Sequence, residues 1–295
     1  MIVLVLLYSW TIAAGAVAAP ALSLLGAQLA TRDRAMQTLC VGQGAMVGVL
    51  LGLGLLHQFE GTWLGTFGPF VVALGVSAAT FLGTDRLVAK KNASKNTTFA
   101  FVFGLLLAAG YLTSAVFPAV ESHMAQIYFG DLATLTTTDS EITVVAAFLS
   151  LLFLILRVKS ISNQSFEWAV FGELKSSAVS VQEQLIFKVI TLFILCFSVQ
   201  FLGFLFTIAM LFLPTSMMNY LETKGLRLHL TLSGGIAAVG TVIGFFLSLN
   251  YTRLPTVPAI VAVMLILGGL ALLAERTAIL ILRGNSEKTV GWDSA

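Results

Sequence analysis

Charge is scarce in this chain, and its opening segment has none. No Lys, Arg, Asp or Glu occurs before Arg32. Charged residues make up 10% of the 295 positions and hydrophobic ones 58%, whereas soluble domains carry about 25% charge. A soluble globular domain is therefore excluded, and an integral membrane protein is indicated. Cysteine is almost absent: Cys40 and Cys196 both fall in apolar runs, too few for a disulfide framework, and read as packed thiols. The three histidines, His57, His123 and His229, stand near the ends of apolar runs without an in-register carboxylate or cysteine, so they form no metal-ligand set. No GxxxxGK[ST] stretch occurs, so a phosphate-cradling loop of that type is missing, as are HExxH and GxSxG. The apolar runs also lack the row of ionisable groups that a proton-coupled pump would use. The chain reads as a passageway driven from outside itself, with no catalytic residues and no cofactor of its own.

What is present is a succession of apolar runs, at roughly 1–27, 35–57, 62–83, 98–118, 140–156, 185–218, 230–249 and 257–274. Each suits a helix crossing ~30 Å of hydrocarbon, which takes about 20 residues. The expected fold is an all-α polytopic bundle of eight to nine transmembrane segments, one of them short and returning. Strands of a barrel would be about ten residues long with alternating polarity. The first run lacks the basic start of a secretory signal, so it is read as a retained span. The 185–218 run is too long for one ordinary crossing and too short for two full ones, and it holds Gln200 and Gly203 near its middle and then Pro214. It is either one long tilted helix, or an incoming helix to about Gln200 and a shorter returning one from about Gly203. Basic residues concentrate on the cytoplasmic side. With an outside N-terminus and a double crossing of 185–218, fifteen of the sixteen Lys and Arg fall inside, and only Arg253 falls outside. A single crossing would scatter them, so nine crossings are preferred. A permease domain over 1–281 and a cytoplasmic tail over 282–295 follow.

Three local features stand out. In the second run, Gly44, Gly48 and Gly52 recur every fourth residue and share one helix face, where small residues let backbones approach closely. Gln43 lies beside that face. A buried amide there either pairs with a neighbouring helix or lines a route for a solute. The longest inside loop, 157–184, holds the apolar stretch Phe166 to Phe171, interrupted by Glu167 and followed by Gly172. A short amphipathic helix ending at that glycine either rests on lipid or docks into a cytoplasmic partner.

Several segments then point to a family. FLGFLFTIAMLFLPTSMMNYL at 201–221 places Gly203, Ala209 and Pro214 as in the metal-ion permeases of bacterial ABC importers for zinc, manganese and iron. GFFLSLNYTRLPTVPAIVAVMLIL at 244–267 and the turn at Phe129, Gly130 and Asp131 are similar to the same family. The resemblance covers about residues 12–275. It implies a permease that works as a homodimer or pseudo-dimer in the inner membrane. Its expected partners are a cytoplasmic ABC ATPase that uses ATP, a periplasmic or lipid-anchored binding protein, a second permease copy and the lipid membrane, with no nucleic acid. It also implies that Phe166, Trp168, Phe171 and Gly172 dock into the ATPase. Gln43, Met46, Thr207 and Pro214 are the candidate residues of the translocation path.

The departures from the family bear on cargo. Where the family has an aspartate and a histidine in the second span, this chain has Leu39 and Gln43. Lys95 and Asn96 replace acidic residues, and Arg253 and Val257 replace an aspartate and a glycine. Leucine cannot bind a cation, and an amide binds one weakly. The leading expectation is import of a divalent transition metal, zinc before manganese or iron. The alternatives are a metal chelate or other small polar solute, or a degenerate partner subunit that does not transport.

Overall fold

The computed structural model describes residues 7–59, 61–89, 94–130, 132–171, 181–221, 225–251 and 254–290. These form α-helices joined by turns and three short 3-10 segments, with no strand among the described residues. In chain order the helices are α1 (Ser9–Thr31), α2 (Ala35–Leu56), α3 (Trp63–Ala89), α4 (Lys95–Val116), α5 (Glu121–Phe129), α6 (Thr137–Leu156), α7 (Val158–Phe171), α8 (Val181–Leu202), α9 (Phe204–Tyr220), α10 (Leu226–Asn250) and α11 (Thr256–Val290). Eight of them are long and apolar enough to cross a membrane, and α9 is a shorter apolar helix. This is the all-α polytopic bundle that the hydropathy predicts. The boundary expected at 281/282 falls inside α11, and residues 291–295 lie outside the described ones.

The centre of the bundle is α1 and α2, the most enclosed of the spans. Their sequences suit that place, because alanine and glycine on nearly every side let neighbours close in. On α1, Gly26 leaves no room for even a methyl group beside the Leu211 carbonyl of α9. A Cβ at Gly15 would lie 2.9 Å from the Thr241 methyl of α10. On α2, the face of Gly44, Gly48 and Gly52 meets α3 within the same chain. A Cβ at Gly48 would lie 2.5 Å from the Ala73 Cα, one at Gly44 would lie 2.6 Å from Thr80 Oγ1, and Gly52 abuts the Pro69 backbone.

The 185–218 run breaks at Gly203, and the chain reverses there. Near the start of α8, the Phe187 ring lies 3.9 Å from the Arg32 guanidinium, just beyond the C-terminal end of α1. Near the end of α9, Asn219 shares a cavity with Ala27 and Thr31, at that same end of α1. Both outer ends of the α8–α9 pair therefore sit at one end of the bundle, and Gly203 points to the other. Gly203 has φ +89° and faces Gly130, at φ +74°. Neither can carry a side chain, since a Cβ on Gly203 would collide with the Gly130 backbone and one on Gly130 with the Leu202 carbonyl.

The same contacts sort charge. Arg32, Arg34, Arg86, Lys95, Arg157, Lys159, Lys188 and Arg227 gather at the end where α1 terminates, tied together by contacts such as Arg34–Asp85 and Arg157–Glu183. The other end holds Glu121, Asp139 and Glu141 and no Lys or Arg among the described residues. Arg253, Lys224, Lys90, Lys91 and Lys175 lie outside the described residues.

Candidate functional site

The predicted path residues come from α2 and α9, and the structure places the two helices side by side. Gly42 of α2 makes the approach possible. A Cβ there would sit 3.1 Å from the Phe204 ring and 3.4 Å from Ile208, both in the first turns of α9. Next to it, Gln43 is 0% exposed. Neither its Nε2 nor its Oε1 has a hydrogen-bond partner. Pairing with a neighbouring helix, one of the two readings of Gln43, is thus not what the fold provides. Each unsatisfied buried polar group costs about 1–3 kcal/mol, so an orphaned amide in the bundle interior asks for a reason. Met46 is also fully enclosed, packed with Val47, Leu50 and Phe204 in one apolar cluster. Leu39, at the family's aspartate place, is half-buried.

Thr207 faces the other way from α9. Its hydroxyl bonds the Gly203 carbonyl at 2.7 Å and shares a 2.8 Å hydrogen bond with Ser198 of α8. Those contacts hold the break between α8 and α9. Pro214 lies further along α9, buried in the stretch where Leu211 and Thr215 meet α1. Gly42 therefore marks the α2–α9 seam, Gln43 is enclosed one residue further along α2, and Met46 reaches α4, where its Cε would lie 3.1 Å from a Cβ on Gly110. Thr207 braces the break and Pro214 belongs to the α1 side. Ser77 of α3 adds a polar group missed by sequence reasoning. It donates to the Val41 carbonyl of α2 at 3.3 Å and accepts from Cys196 at 3.2 Å, linking α2, α3 and α8. An isolated serine in an apolar helix gives no sequence signal of that kind. No group of three or more His, Cys, Asp or Glu that could hold a metal ion occurs among the described residues.

The expected docking helix begins earlier than its apolar stretch. α7 starts at Val158, almost directly after α6, and closes at Phe171. Its inner side is polar. Gln164 and Ser165 are each 2% exposed and bonded to α1 and to Arg32. Its outer side is apolar, with Phe166 at 66% and Val170 at 55% exposure. Trp168 does not point outward with them. Its ring lies 5.1 Å from the Arg34 guanidinium and is half-buried. The side chain of Phe171 and all of Gly172 lie outside what is described.

The profile of the ABC 3 transport family matches residues 6–274. The chain belongs to that family. It is a membrane transport subunit, the metal-ion importer permease that the ordered segments at 128–135, 201–221 and 244–267 resemble. Among curated proteins, none matches the sequence. Among solved structures, the fold is similar to PsaBC from Streptococcus pneumoniae in complex with Fab, at TM-score 0.72 and 17% identity over 88% of each chain. At that identity the likeness speaks for the fold.

Proposed function

We propose that this chain is the membrane-spanning half-site of an ATP-driven importer for a divalent transition metal, zinc before manganese or iron. In this reading the basic end faces the cytoplasm, because Lys and Arg collect there. The N-terminal end of α1 then faces outward, toward a periplasmic or lipid-anchored binding protein. A cytoplasmic ATPase docks on the outer side of α7 through Phe166 and Val170. A second copy of the permease completes the pathway in the bacterial inner membrane.

The observation that carries the reading is Gln43. It stands where the family has histidine, it is wholly buried, and both its amide atoms are unpartnered. An amide held ready in that position can meet a hydrated cation in passage without trapping it, since amide oxygen is a weak ligand for a borderline metal. Selectivity then rests with the binding protein. The missing aspartate and histidine also support a second reading, in which the cargo is a metal chelate.

The test is uptake by proteoliposomes holding the permease, its ATPase and its binding protein, measured separately for zinc, manganese, iron and a zinc chelate. Gln43→Ala should cut uptake at least tenfold. The paired change Leu39→Asp with Gln43→His, which puts two ligands one turn apart, should raise retention of the free cation. Uptake of the chelate alone would replace the first reading by the second. Wild-type uptake by Q43A would remove Gln43 from the path.

A further inference from the structure

The turn between α1 and α2 holds its two arginines in different company. Asp33 at its centre has φ +54°, uncommon for a residue other than glycine. Arg32, before it, is 8% exposed. Its Nε donates to Ser165 Oγ at 2.9 Å, and its Nη2 donates to the Ile161 carbonyl at 3.2 Å, all on α7. Its face lies 3.9 Å from the Phe187 ring of α8. Ser165 in turn donates to Gln28 of α1 at 2.8 Å, and Gln28 donates to Ser162 at 3.1 Å. Helix α7 is thereby stitched to the end of α1 along a full turn. Arg34, after Asp33, belongs elsewhere. It reaches Gln37 at 3.0 Å and Asp85 at 3.7 Å on α2 and α3, and it touches α7 only through the Trp168 ring.

The Arg32 partners are neutral oxygens and a ring. Burial, and then the charge of Arg34, lower its pKa to about 10, so it stays charged at neutral pH. A buried charge satisfied only by neutral groups is a poor device for stability. It is a good device for geometry, because the guanidinium fork fixes several partners at once.

Beyond Arg32 the rigid contacts continue into α9. Gly26 of α1 packs directly on the Leu211 carbonyl, and Thr215 donates to the Ser23 carbonyl at 3.4 Å. On the other side, α2 and α3 are locked by Gly44, Gly48 and Gly52. Close-packed interfaces of this kind move as bodies and do not deform continuously. Resting on the reading of α7 as the docking helix, we propose that Arg32 is a positioning residue that joins α7, α1 and α9 into one moving body. A displacement imposed on α7 by a docked ATPase then shifts α9 against the α2–α3 body, and the seam that moves is the one where Gly42 of α2 meets Phe204 and Ile208 of α9, next to the buried Gln43. Packed side chains and hydrogen-bond networks are the physical carriers of such coupling.

The test places nitroxide labels at Tyr220→Cys on α9 and Tyr111→Cys on α4, 75% and 59% exposed; α4 packs on α2, where Cys40 donates to the Phe99 carbonyl. The buried Cys40 and Cys196 stay in place. In nanodiscs with the ATPase bound, the label-to-label distance is measured without nucleotide and with ATP and vanadate. The unmutated pair should shift. Arg32→Gln should keep the ATPase bound and lose at least half of the shift, and Arg32→Lys should not fully restore it. Ser165→Ala, a milder cut in the same network, decides the matter if Arg32→Gln fails to assemble. An equal shift in S165A and the parent, or no shift in the parent with ATPase bound, overturns the proposal. Phe166→Asp separates the two layers: if the ATPase still binds that variant, the docking reading fails, whatever Arg32 does.

Discussion

Adding a single methyl group at Gly48 should separate two helices. A Cβ there would stand 2.5 Å from the Ala73 Cα, 3.0 Å from its nitrogen and 3.1 Å from the Val72 carbonyl. All three are backbone atoms, so no side chain can swing aside, and α3 itself must retreat by about an ångström. Overpacking of that kind costs ~1–3 kcal/mol. Retreat would also loosen the neighbouring contacts of Gly44 with Thr80 and of Gly52 with Pro69. Gly48→Leu should cost more than Gly48→Ala. Leu53→Ala, at a half-buried position, only removes packing and should be tolerated better than Gly48→Leu. Gly75 gives the internal control. It lies within α3, and a Cβ there meets nothing within 4 Å. Gly75→Ala should be neutral or stabilising by up to ~1 kcal/mol from helix propensity and unfolded-state entropy. Melting of the purified protein in detergent, followed by loss of monodisperse protein on heating, gives the order: G75A at or above wild type, L53A below it, and G48L lowest, with G48A also below wild type. A G48A protein that melts with G75A would refute the close-contact argument.

Two further outcomes are expected. Lys224→Cys and Lys288→Cys should label with a membrane-impermeant maleimide only from the cytoplasmic side, and Glu121→Cys only from outside; outside labelling of K224C would overturn the orientation. Gly203→Ala should destabilise the protein or shift the α8–α9 break, because φ +89° and the facing Gly130 backbone both exclude a side chain, and an unchanged melting curve for that variant would show that the break tolerates one.

The parts of this fold governed by hydropathy were legible from composition alone. Span positions follow from apolar runs, and the double crossing of 185–218 follows from the placement of Lys and Arg on either side of it, with Gly203 near its centre. Contacts decided by chemistry between distant segments were not. Helix α5 at Glu121–Phe129 is short and only weakly amphipathic, so nothing in its local pattern separates it from a loop. The start of α7 was hidden by SISNQS, whose serines and asparagine are indifferent helix formers. They are helical because Ser162 and Ser165 find Gln28 and Arg32 some 130 residues away in the chain. The amphipathic stretch at Phe166–Phe171 was visible, but Trp168 turning inward toward Arg34 was not. Gln43 was recognisable as an oddity in an apolar helix, while its lack of any partner needed the packed bundle.

The shortness of α9 changes how thick the barrier is. Seventeen residues at 1.5 Å each reach about 25 Å, less than the ~30 Å of hydrocarbon. Its end at Tyr220 sits with the basic end of the bundle, so its beginning at Gly203 stops short of the opposite surface. That shortfall is filled by α5 and the Gly130 turn, with Tyr128 against Phe204 at 5.8 Å between ring centres. The start of α9 is thus backed by peptide backbone, Gly130 against Gly203, in place of further helix. The apolar length that α9 presents is set by this protein and not by the lipid around it.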